Sequence, residues 1–219
     1  MSAYVPLWVK SNHSFLEGAS FPEELVDRAH ALGLPAIAIT DRDGVYGLVR
    51  AHVRAKELGI RRVTGAELAL GIEGEPHRII ALAKSRFGYA SLCRALSLGH
   101  ARCEKGLSLV ELGDLREARD LIFLCAAPAP LRALHAGHGP SSVFALCARH
   151  LDDREKPYER ALRAVAAELG VQALGANEVL YHDRARRPLQ DVLACIRGGK
   201  VLSEAGHTIR RNAEHDLKP

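Results

Sequence analysis

Hydrophobic and polar positions alternate along the chain between short apolar runs and longer segments with an apolar residue every three or four positions. The run Ala36–Thr40 carries no charge, which is typical of a strand covered on both faces. Leu25, Val26 and Ala29 share one face of a helix predicted before it. The same pattern predicts about seven strands separated by helices. They are Tyr4–Val9, Ala36–Thr40, Val63–Leu70, Arg78–Ala83, Leu121–Cys125, Ser142–Cys147 and Gln172–Ala176.

This alternation, without a long hairpin signal, predicts a parallel α/β architecture in one domain. The helix after the second strand is expected to bury a face with Val45, Leu48, Val49, His52 and Val53. Leu189, Val192, Leu193 and Ile196 are expected to form an apolar stripe on the last helix. The only stretch rich in proline and glycine, Pro128–Pro140, is interpreted as a surface loop.

Composition narrows the class of protein. The 219 residues are 47% hydrophobic and 26% charged, which excludes global disorder. No apolar run approaches the ~20 residues of a membrane span, and the first residues do not resemble a signal peptide. The five cysteines form no CxxC pair, which favours a reducing cytoplasm over a disulfide scaffold or zinc finger.

The formal charge of +4 is unevenly distributed. Residues 1–183 hold 22 basic and 22 acidic side chains, whereas residues 184–219 hold eight basic and four acidic ones. A body without net charge argues against a protein that wraps nucleic acid around its whole surface. The excess lies in the last 36 residues.

Polar residues follow several predicted strands at the end where a parallel sheet places its ligand site. They include Lys10–His13, Asp41–Asp43, Glu67 and, after the last strand, Glu178 and His182. Because loops after strands are polar in most proteins, this placement alone does not distinguish a ligand site from ordinary surface loops.

Three of these segments carry a family resemblance. Ser11–Ser20 (SNHSFLEGAS), Ile39–Gly47 (ITDRDGVYG) and Thr64–Leu68 (TGAEL) resemble successive motifs of the PHP (polymerase and histidinol phosphatase) domain. The version resembled most is the N-terminal PHP domain of bacterial C-family DNA polymerases, related to the polymerase III alpha subunit, in the error-prone branch. Arg186–Leu193 and Arg211–Leu217 continue the match, which covers nearly the whole chain. The resemblance implies a distorted (β/α)7 TIM-like barrel over residues 1–219, with 198–219 as a basic segment leading toward a polymerase core outside this sequence.

The chain departs from the family at its metal ligands. Metal-binding PHP domains carry histidines where this sequence has Trp8, Lys10, Arg42 and Leu180. What the resemblance leaves as a remnant metal-site cluster is Glu17, Asp41, Glu67, His77, Glu178 and His182. Lys10 and Arg42 are cations at ligand positions, and arginine has no lone pair to give. We therefore expect no metal cofactor and no catalytic residue, with Lys10 and Arg42 pairing with Asp41, Glu67 and Glu178 in place of metals.

The function predicted from this resemblance is structural. The chain is expected to serve as a protein-contact module in replication or translesion synthesis, with the polymerase core of the same longer chain as partner. Other replication or repair proteins are further candidate partners, DNA is reached through the parent polymerase, and no membrane is involved. The alternative is a phosphoesterase or 3′→5′ exonuclease using Mn or Zn in a reduced site. A third option is a free-standing DNA-binding accessory protein.

The basic residues after position 183 leave two interpretations open. Such clustered cations are suited to phosphate contacts or to docking onto the polymerase core. No aromatic residues alternate with the arginines, which weakens the case for stacking on single strands and favours docking. The residues concerned are Arg184, Arg186, Arg187, Arg210 and Arg211.

Overall fold

The computed structural model of the protein describes residues 4–219. They form two compact units that are interleaved along the chain. The first unit comprises residues up to 63 together with 150–152 and 177–219, and the second comprises 64–149 and 153–176.

Strands and helices alternate as the apolar pattern predicts, with some corrections given below. The strands are β1 (Trp8–Val9), β2 (Ala36–Ile39), β3 (Arg61–Ile72), β4 (Glu75–Ala83), β5 (Val110–Glu111), β6 (Leu121–Cys125), β7 (Val143–Ala148), β8 (Ala173–Ala176) and β9 (Glu178–Val179). The helices are α1 (Pro22–Ala31), α2 (Leu48–Leu58), α3 (Arg86–Arg102), α4 (Leu112–Leu115), α5 (Pro128–His138), α6 (Glu155–Glu168) and α7 (Arg187–Arg197). Short 3₁₀ turns occupy Arg184–Arg186, Leu202–Glu204 and Gly206–Thr208.

The first unit is built around β1. β1 pairs in parallel with β9, with Trp8 opposite Glu178. β2 lies beside β1, since the Thr40 amide donates to the Val9 carbonyl at 2.8 Å. α1 packs against α2, and the two helices cover these strands with a continuous apolar core. The core includes Val9, Leu25, Val26, Ala29, Ile37, Ile39, Ala51, Ala55, Val179 and Leu217.

The buried face of α2 differs from the predicted one. Val49 and Val53 are 71% and 52% exposed, whereas Ala51 and Ala55 are buried. α1 approaches closely at this position, and small alanines allow two helices to pack where larger side chains would keep them apart. The predicted stripe on α7 is turned outward in three of its four members, because Leu189, Val192 and Ile196 are exposed, whereas Leu193 packs against the cluster of Ala19, Leu180 and Tyr181.

The second unit contains a mixed sheet in the order β3-β4-β6-β7-β8, with β5 beside β3. β6, β7 and β8 are parallel, as predicted, and α5 and α6 pack against β7. β6 and β7 are wholly apolar, and Ile79, Ile80, Phe123 and Leu124 have at most 1% of their surface exposed.

The expectation of parallel strands without a hairpin is wrong for β3 and β4. These strands form a long antiparallel hairpin, and β4 is also antiparallel to β6. The turn that connects β3 and β4 is formed by Glu73 and Gly74, with φ values of +52° and +85°. Positive φ at both central residues gives a turn whose twist matches the flanking strands. Glu-Gly is not one of the dipeptides that signal such a turn.

The prediction of a loop over Pro128–Pro140 is also wrong, because α5 covers most of this stretch. Pro128 is at the start of the helix and Pro130 lies in its first turn, where the missing amide hydrogens have no acceptor to lose. Leu131 and Leu134 are buried on one face and hold the helix in place.

Among the described residues 4–219, no helix combines the length and apolar character needed to cross a bilayer.

Candidate functional site

Two ionisable groups meet where β1 and β9 end. Since these strands are parallel and in register, Lys10 follows β1 directly beside Glu178 and Val179, and its amide donates to the Val179 carbonyl at 3.0 Å. Lys10 is 4% exposed and Glu178 is 5% exposed. Charged groups are seldom buried this deeply unless they are paired.

Lys10 bridges two carboxylates. Its Nζ lies 2.9 Å from Oε1 of Glu178 and 3.1 Å from Oε2 of Glu17. The same ammonium lies 5.6 Å from the centre of the Trp8 ring, within the range of a cation–π interaction. Trp8 and Lys10, two of the substituted ligand positions, are thus in contact with each other.

Glu17 is held in a tight loop between β1 and α1. A side chain at Gly18 would place its Cβ 2.1 Å from the carbonyl oxygen of Ser11, so the loop closes only with glycine there. Oε1 of Glu17 accepts from Arg42, and it lies 2.8 Å from Arg197 of α7. Burial raises the pKa of Glu17, but the charges of Lys10, Arg42 and Arg197 outweigh this effect and hold that pKa below its usual range.

Glu178 is paired on both oxygens. Oε2 accepts from Arg210 at 2.6 Å while Oε1 accepts from Lys10. Burial favours the neutral acid and raises the pKa of Glu178, yet the Lys10 and Arg210 charges lower it by more, so the carboxyl stays ionised. Glu178 therefore sits between two cations, one from the first strand and one from the C-terminal segment.

Asp41 uses neutral donors instead. Its carboxylate accepts from the Ser11 amide at 2.7 Å and from the hydroxyls of Ser11 and Ser14 at 2.8–2.9 Å. The Gly47 amide donates to Oδ2 at 3.3 Å. The predicted pairing of Lys10 with Glu178 is present, whereas Arg42 pairs with Glu17 and the structure gives Asp41 hydroxyl and amide partners.

Leu180 and His182 follow β9 along the chain. The His182 Nδ1 is 2.8 Å from the Ser20 hydroxyl and 3.8 Å from Glu24. Burial lowers the pKa of His182, and Glu24 opposes that effect. Leu180 packs with Ala19 and Tyr181 in a small apolar cluster. The polar partners of His182 are therefore different from those of Lys10.

Glu67 and His77 belong to the second unit, on the β3–β4 hairpin. Glu67 is buried and lies opposite Ile80, while His77 lies opposite Leu70. Because side chains alternate across a strand, His77 projects from the opposite face to Glu67. Arg78 lies on the same face as Glu67, at 3.8 Å. The hairpin thus brings a cation, rather than the predicted imidazole, to this carboxylate.

Four of the arginines after residue 183 have carboxylate partners within the first unit. Arg186 pairs with Glu24, Arg211 lies 3.4 Å from Asp152, and Arg184 bridges Glu214 and Asp216. Arg187 lies 3.6 Å from Asp191 within α7. Whether these residues contact DNA or a partner protein stays a prediction.

A third group, missed by sequence reasoning, combines His150, Glu178 and His215. One ligand atom from each lies within 4.8 Å of the others, which is a spacing suited to a metal ion. The imidazoles stack with centroids 4.0 Å apart and planes 11° apart. His150 Nε2 accepts from the Glu178 amide and His215 Nδ1 donates to the Glu178 carbonyl, each at 3.0 Å.

These histidines bind β9 rather than point freely at a common centre. Burial lowers the pKa of His215 to about 3, which keeps the ring neutral. Arg197, His150 and His215 could not be connected to the site from the sequence, because each lies in a different segment from the carboxylate it meets, and Arg78 could be placed only from the register of the β3–β4 hairpin. Only Arg197 belongs to the basic excess after residue 183, so that excess pointed toward it and not toward the other three.

The donor set at the strand ends is a poor match for divalent metals. A two- or three-metal centre needs neutral imidazoles and carboxylates with free lone pairs. Here Glu17 and Glu178 already accept from Lys10, Arg42, Arg197 and Arg210. A metal would have to displace these cations, so the residues present do not fit a PHP-type metal cluster.

Comparison with known proteins shows the family to which the sequence is similar. The family profile described as "PHP domain" matches residues 7–175. An "Error-prone DNA polymerase" from Anaeromyxobacter sp. (strain K) is 40% identical over 98% of this chain. The chain spans only 20% of that relative's length.

Solved structures agree on the fold. An amidohydrolase from Chromobacterium violaceum superimposes with a TM-score of 0.58 over 82% of this chain and 88% of its own, at 14% identity. A candidate metal-dependent phosphoesterase from Bifidobacterium adolescentis gives a TM-score of 0.54 over 81% and 88%, at 16% identity. The predicted α/β fold of the PHP type is thereby confirmed.

Proposed function

The chain belongs to the PHP domain family, and we propose that it is the N-terminal PHP domain of an error-prone C-family DNA polymerase, with a metal-free and non-catalytic centre. Its homology to error-prone DNA polymerases extends over nearly the whole chain, which spans a fifth of one such relative. In this proposal residues 1–219 form a single domain, and 198–219 lead toward the polymerase core of the same polypeptide.

The observation that carries the proposal is the position of Lys10. Its ammonium lies between Glu17 and Glu178, within hydrogen-bond distance of both. A divalent ion in a PHP centre would neutralise and crosslink such carboxylates, and Lys10 does both with a fixed side chain. Lysine supplies no open coordination position and generates no metal-bound hydroxide, so hydrolysis is not expected.

A structural role follows from what these pairs connect. Lys10, Arg42, Arg197 and Arg210 come from four separate segments of the first unit and converge on two carboxylates. The centre therefore crosslinks β1, β9, α7 and the C-terminal segment. We propose that it keeps the domain rigid for contact with the polymerase core and with other replication or repair proteins, while DNA is engaged by the parent polymerase.

Metal content and hydrolysis test this function together. The chain is purified in the presence of manganese or zinc, dialysed, and analysed for metal. The same samples are assayed for phosphatase and 3′→5′ exonuclease activity. We expect well below one ion per chain and no metal-dependent turnover. The matched variant restores histidine at all four positions (Trp8→His, Lys10→His, Arg42→His and Leu180→His) and is expected to retain more metal than the parent.

The alternative function is a metal-dependent phosphoesterase or exonuclease with a reduced site. The group His150, Glu178 and His215 favours it, because two imidazoles and a carboxylate form a recognised donor set. The stacked rings oppose it, since an imidazole binds metal in its own plane and two parallel rings share no such point. This alternative would be established by one metal ion per chain and metal-dependent turnover in the parent, with the metal lost in each of the variants His150→Ala and His215→Ala. In this alternative the reduced metal set would also be held by Glu17, Asp41, Glu67 and His182.

A further inference from the structure

An open groove of about 870 Å³ lies in the second unit, and none of the site residues described above lines it. One wall is the outer face of α3, with Phe87, Ser91, Arg94 and Leu98 at helical spacing. The other wall is the segment 113–120, which follows the start of α4. This volume falls within the range of sites that hold small molecules.

The walls are fixed against each other. A Cβ at Gly88 would lie 2.1 Å from the Asp120 carbonyl oxygen, so glycine permits the segment to rest directly on α3. The Arg119 amide donates to the Ser91 hydroxyl at 3.2 Å, and the Lys84 amide donates to the Asp120 carbonyl at 2.8 Å. Leu115 anchors the segment from below and is fully buried. The groove is therefore formed before any ligand arrives.

Three arginines in this groove differ from most others in the chain. In the part of the chain that the structure describes, the guanidinium groups of Arg94, Arg116 and Arg119 have no carboxylate within ion-pair distance. By contrast, Arg102 outside the groove holds Asp114 with two hydrogen bonds of 2.9 and 3.1 Å. That pairing neutralises one of the acidic residues along the groove.

The remaining acidic residues are Glu117 and Asp120, and Asp120 accepts from the Ser85 hydroxyl at 2.6 Å. The groove thus presents three available guanidinium groups against two carboxylates. Guanidinium groups match the geometry of phosphate oxygens and bind them in pairs of hydrogen bonds.

An exposed aromatic ring accompanies these charges. Phe87 in the first turn of α3 is 77% exposed, and Leu98 at the other end of the same face is 37% exposed. A ring in this position offers a flat apolar surface beside the guanidinium groups. Cationic grooves with an aromatic platform are the pattern by which proteins bind single strands without sequence preference.

We propose that this groove binds a short stretch of single-stranded nucleic acid. Arg94, Arg116 and Arg119 contact the phosphates, and one base stacks on Phe87. An acidic peptide would use the same charges, but it has no base to stack on the ring, so the ring favours nucleic acid. The proposal does not depend on whether the Lys10 centre binds metal.

Binding of a fluorescein-labelled oligothymidylate of about twelve nucleotides to the 219-residue chain, followed by anisotropy at several salt concentrations, tests this site. The triple variant Arg94→Gln/Arg116→Gln/Arg119→Gln should bind at least about tenfold more weakly, with a log–log salt slope smaller by about two. Phe87→Ala should weaken binding about fivefold or more. Glu117→Gln removes a repulsive charge and should tighten it.

Arg160→Gln is the matched control. Arg160 is exposed on α6, outside the groove, and within residues 4–219 it also lacks a carboxylate partner, so its loss should leave affinity unchanged. The absence of saturable binding, or equal affinities for the groove variants and the parent, would overturn the proposal. Equal binding of a polyglutamate peptide that Phe87→Ala does not weaken would do so too, and would indicate an acidic protein partner.

Discussion

One ammonium group, that of Lys10, separates the buried carboxylate of Glu178 from the partly buried carboxylate of Glu17, which would otherwise repel each other. A buried ion pair is not in itself more stabilising than apolar packing, because both charges lose their hydration. Removing a single partner is costly, however, since the remaining charge stays buried without compensation. Lys10 has two such partners, Glu17 and Glu178.

Lys10→Met should therefore destabilise the protein by about 3–5 kcal/mol, measured as the free energy of unfolding in urea at neutral pH. Methionine keeps most of the volume and removes only the charge. The control is Lys156→Met, since Lys156 forms an exposed pair with Asp153 at 2.7 Å. Exposed pairs contribute about 0–1 kcal/mol, so a Lys10→Met effect no larger than the control would contradict the bridging role.

The pH dependence of that variant gives an independent check. The folded-state pKa values of Glu17 and Glu178 are held low, so their stabilisation is present above the unfolded pKa and is lost as the pH falls. Without Lys10 the carboxyls take up protons more readily and their repulsion disappears in acid. We expect the stability gap between parent and variant to narrow below about pH 4.

His215 should make the protein acid-sensitive in a higher pH range. Its pKa falls from 6.5 to about 3 on folding, because burial disfavours the charged ring. Below pH 6.5 the unfolded chain binds a proton that the folded chain does not, so stability decreases as the pH falls from 6.5 toward 3. Between pH 7 and pH 5 the loss should be on the order of 1–2 kcal/mol.

His215→Asn should largely remove this loss, since an asparagine amide can still donate to the Glu178 carbonyl and does not titrate. Urea unfolding at both pH values measures it. His207→Asn, at an exposed histidine, should leave the loss unchanged. A parent protein equally stable at pH 7 and pH 5 would show that His215 does not stay neutral.

Among the elements, the β3–β4 hairpin depends on its turn. Gly74 has φ +85°, a conformation that costs a residue with a Cβ about 1 kcal/mol or more. Gly74→Ala should lower stability by about that amount in urea unfolding. Gly113→Ala is the control: a Cβ added at either glycine would meet no atom within 4 Å, but Gly113 lies in α4 without a positive φ. Equal effects would show that the backbone conformation of the turn is not the cause.

Apolar periodicity predicted most elements of this fold because strands and helices differ strongly in period. It failed where tertiary contact overrides local preference. The helix α5 begins with prolines that read as a loop, and its identity depends on the buried Leu131 and Leu134. Val49 is exposed because α2 packs its alanine face against α1, and the sequence of α2 alone does not show which face meets that helix.

The candidate site was predictable only in part, for a related reason. Motif positions identified Lys10, Glu17 and Glu178 as neighbours, and the structure brings them together. Pairing partners from distant segments, such as Arg197, carry no local signal. His77 was assigned instead of Arg78 because strand register alone decides which side chain faces Glu67.

At the scale of the whole molecule, the uneven charge along the sequence becomes balanced in space. The basic excess after residue 183 supplies Arg186, Arg197 and Arg210 to Glu24, Glu17 and Glu178, respectively. Residues 1–183, whose net charge is zero, thus include carboxylates whose cationic partners lie after residue 183. The net charge of this segment therefore describes internal pairing at least as much as an external surface.

The C-terminal segment should accordingly be protected from hydrogen exchange as part of the first unit. The Leu180 amide donates to the His215 carbonyl at 2.9 Å, and the Leu217 amide donates to the Tyr181 carbonyl at 3.1 Å. Leu217 is itself 1% exposed. Exchange of these amides requires the segment to leave β9, which would break the Arg210–Glu178 pair and expose the core.

Mass-spectrometric hydrogen exchange on the 219-residue chain measures this. We expect peptides covering 212–218 to exchange as slowly as those covering 8–11, and those covering the exposed turns at 201–208 to exchange much faster. The turns serve as the internal reference, since they are close in sequence and have few buried residues. Exchange of 212–218 at the rate of 201–208 would instead describe a loosely held basic arm, whose arginines are available for phosphate because their pairs with Glu178 and Asp152 are open most of the time.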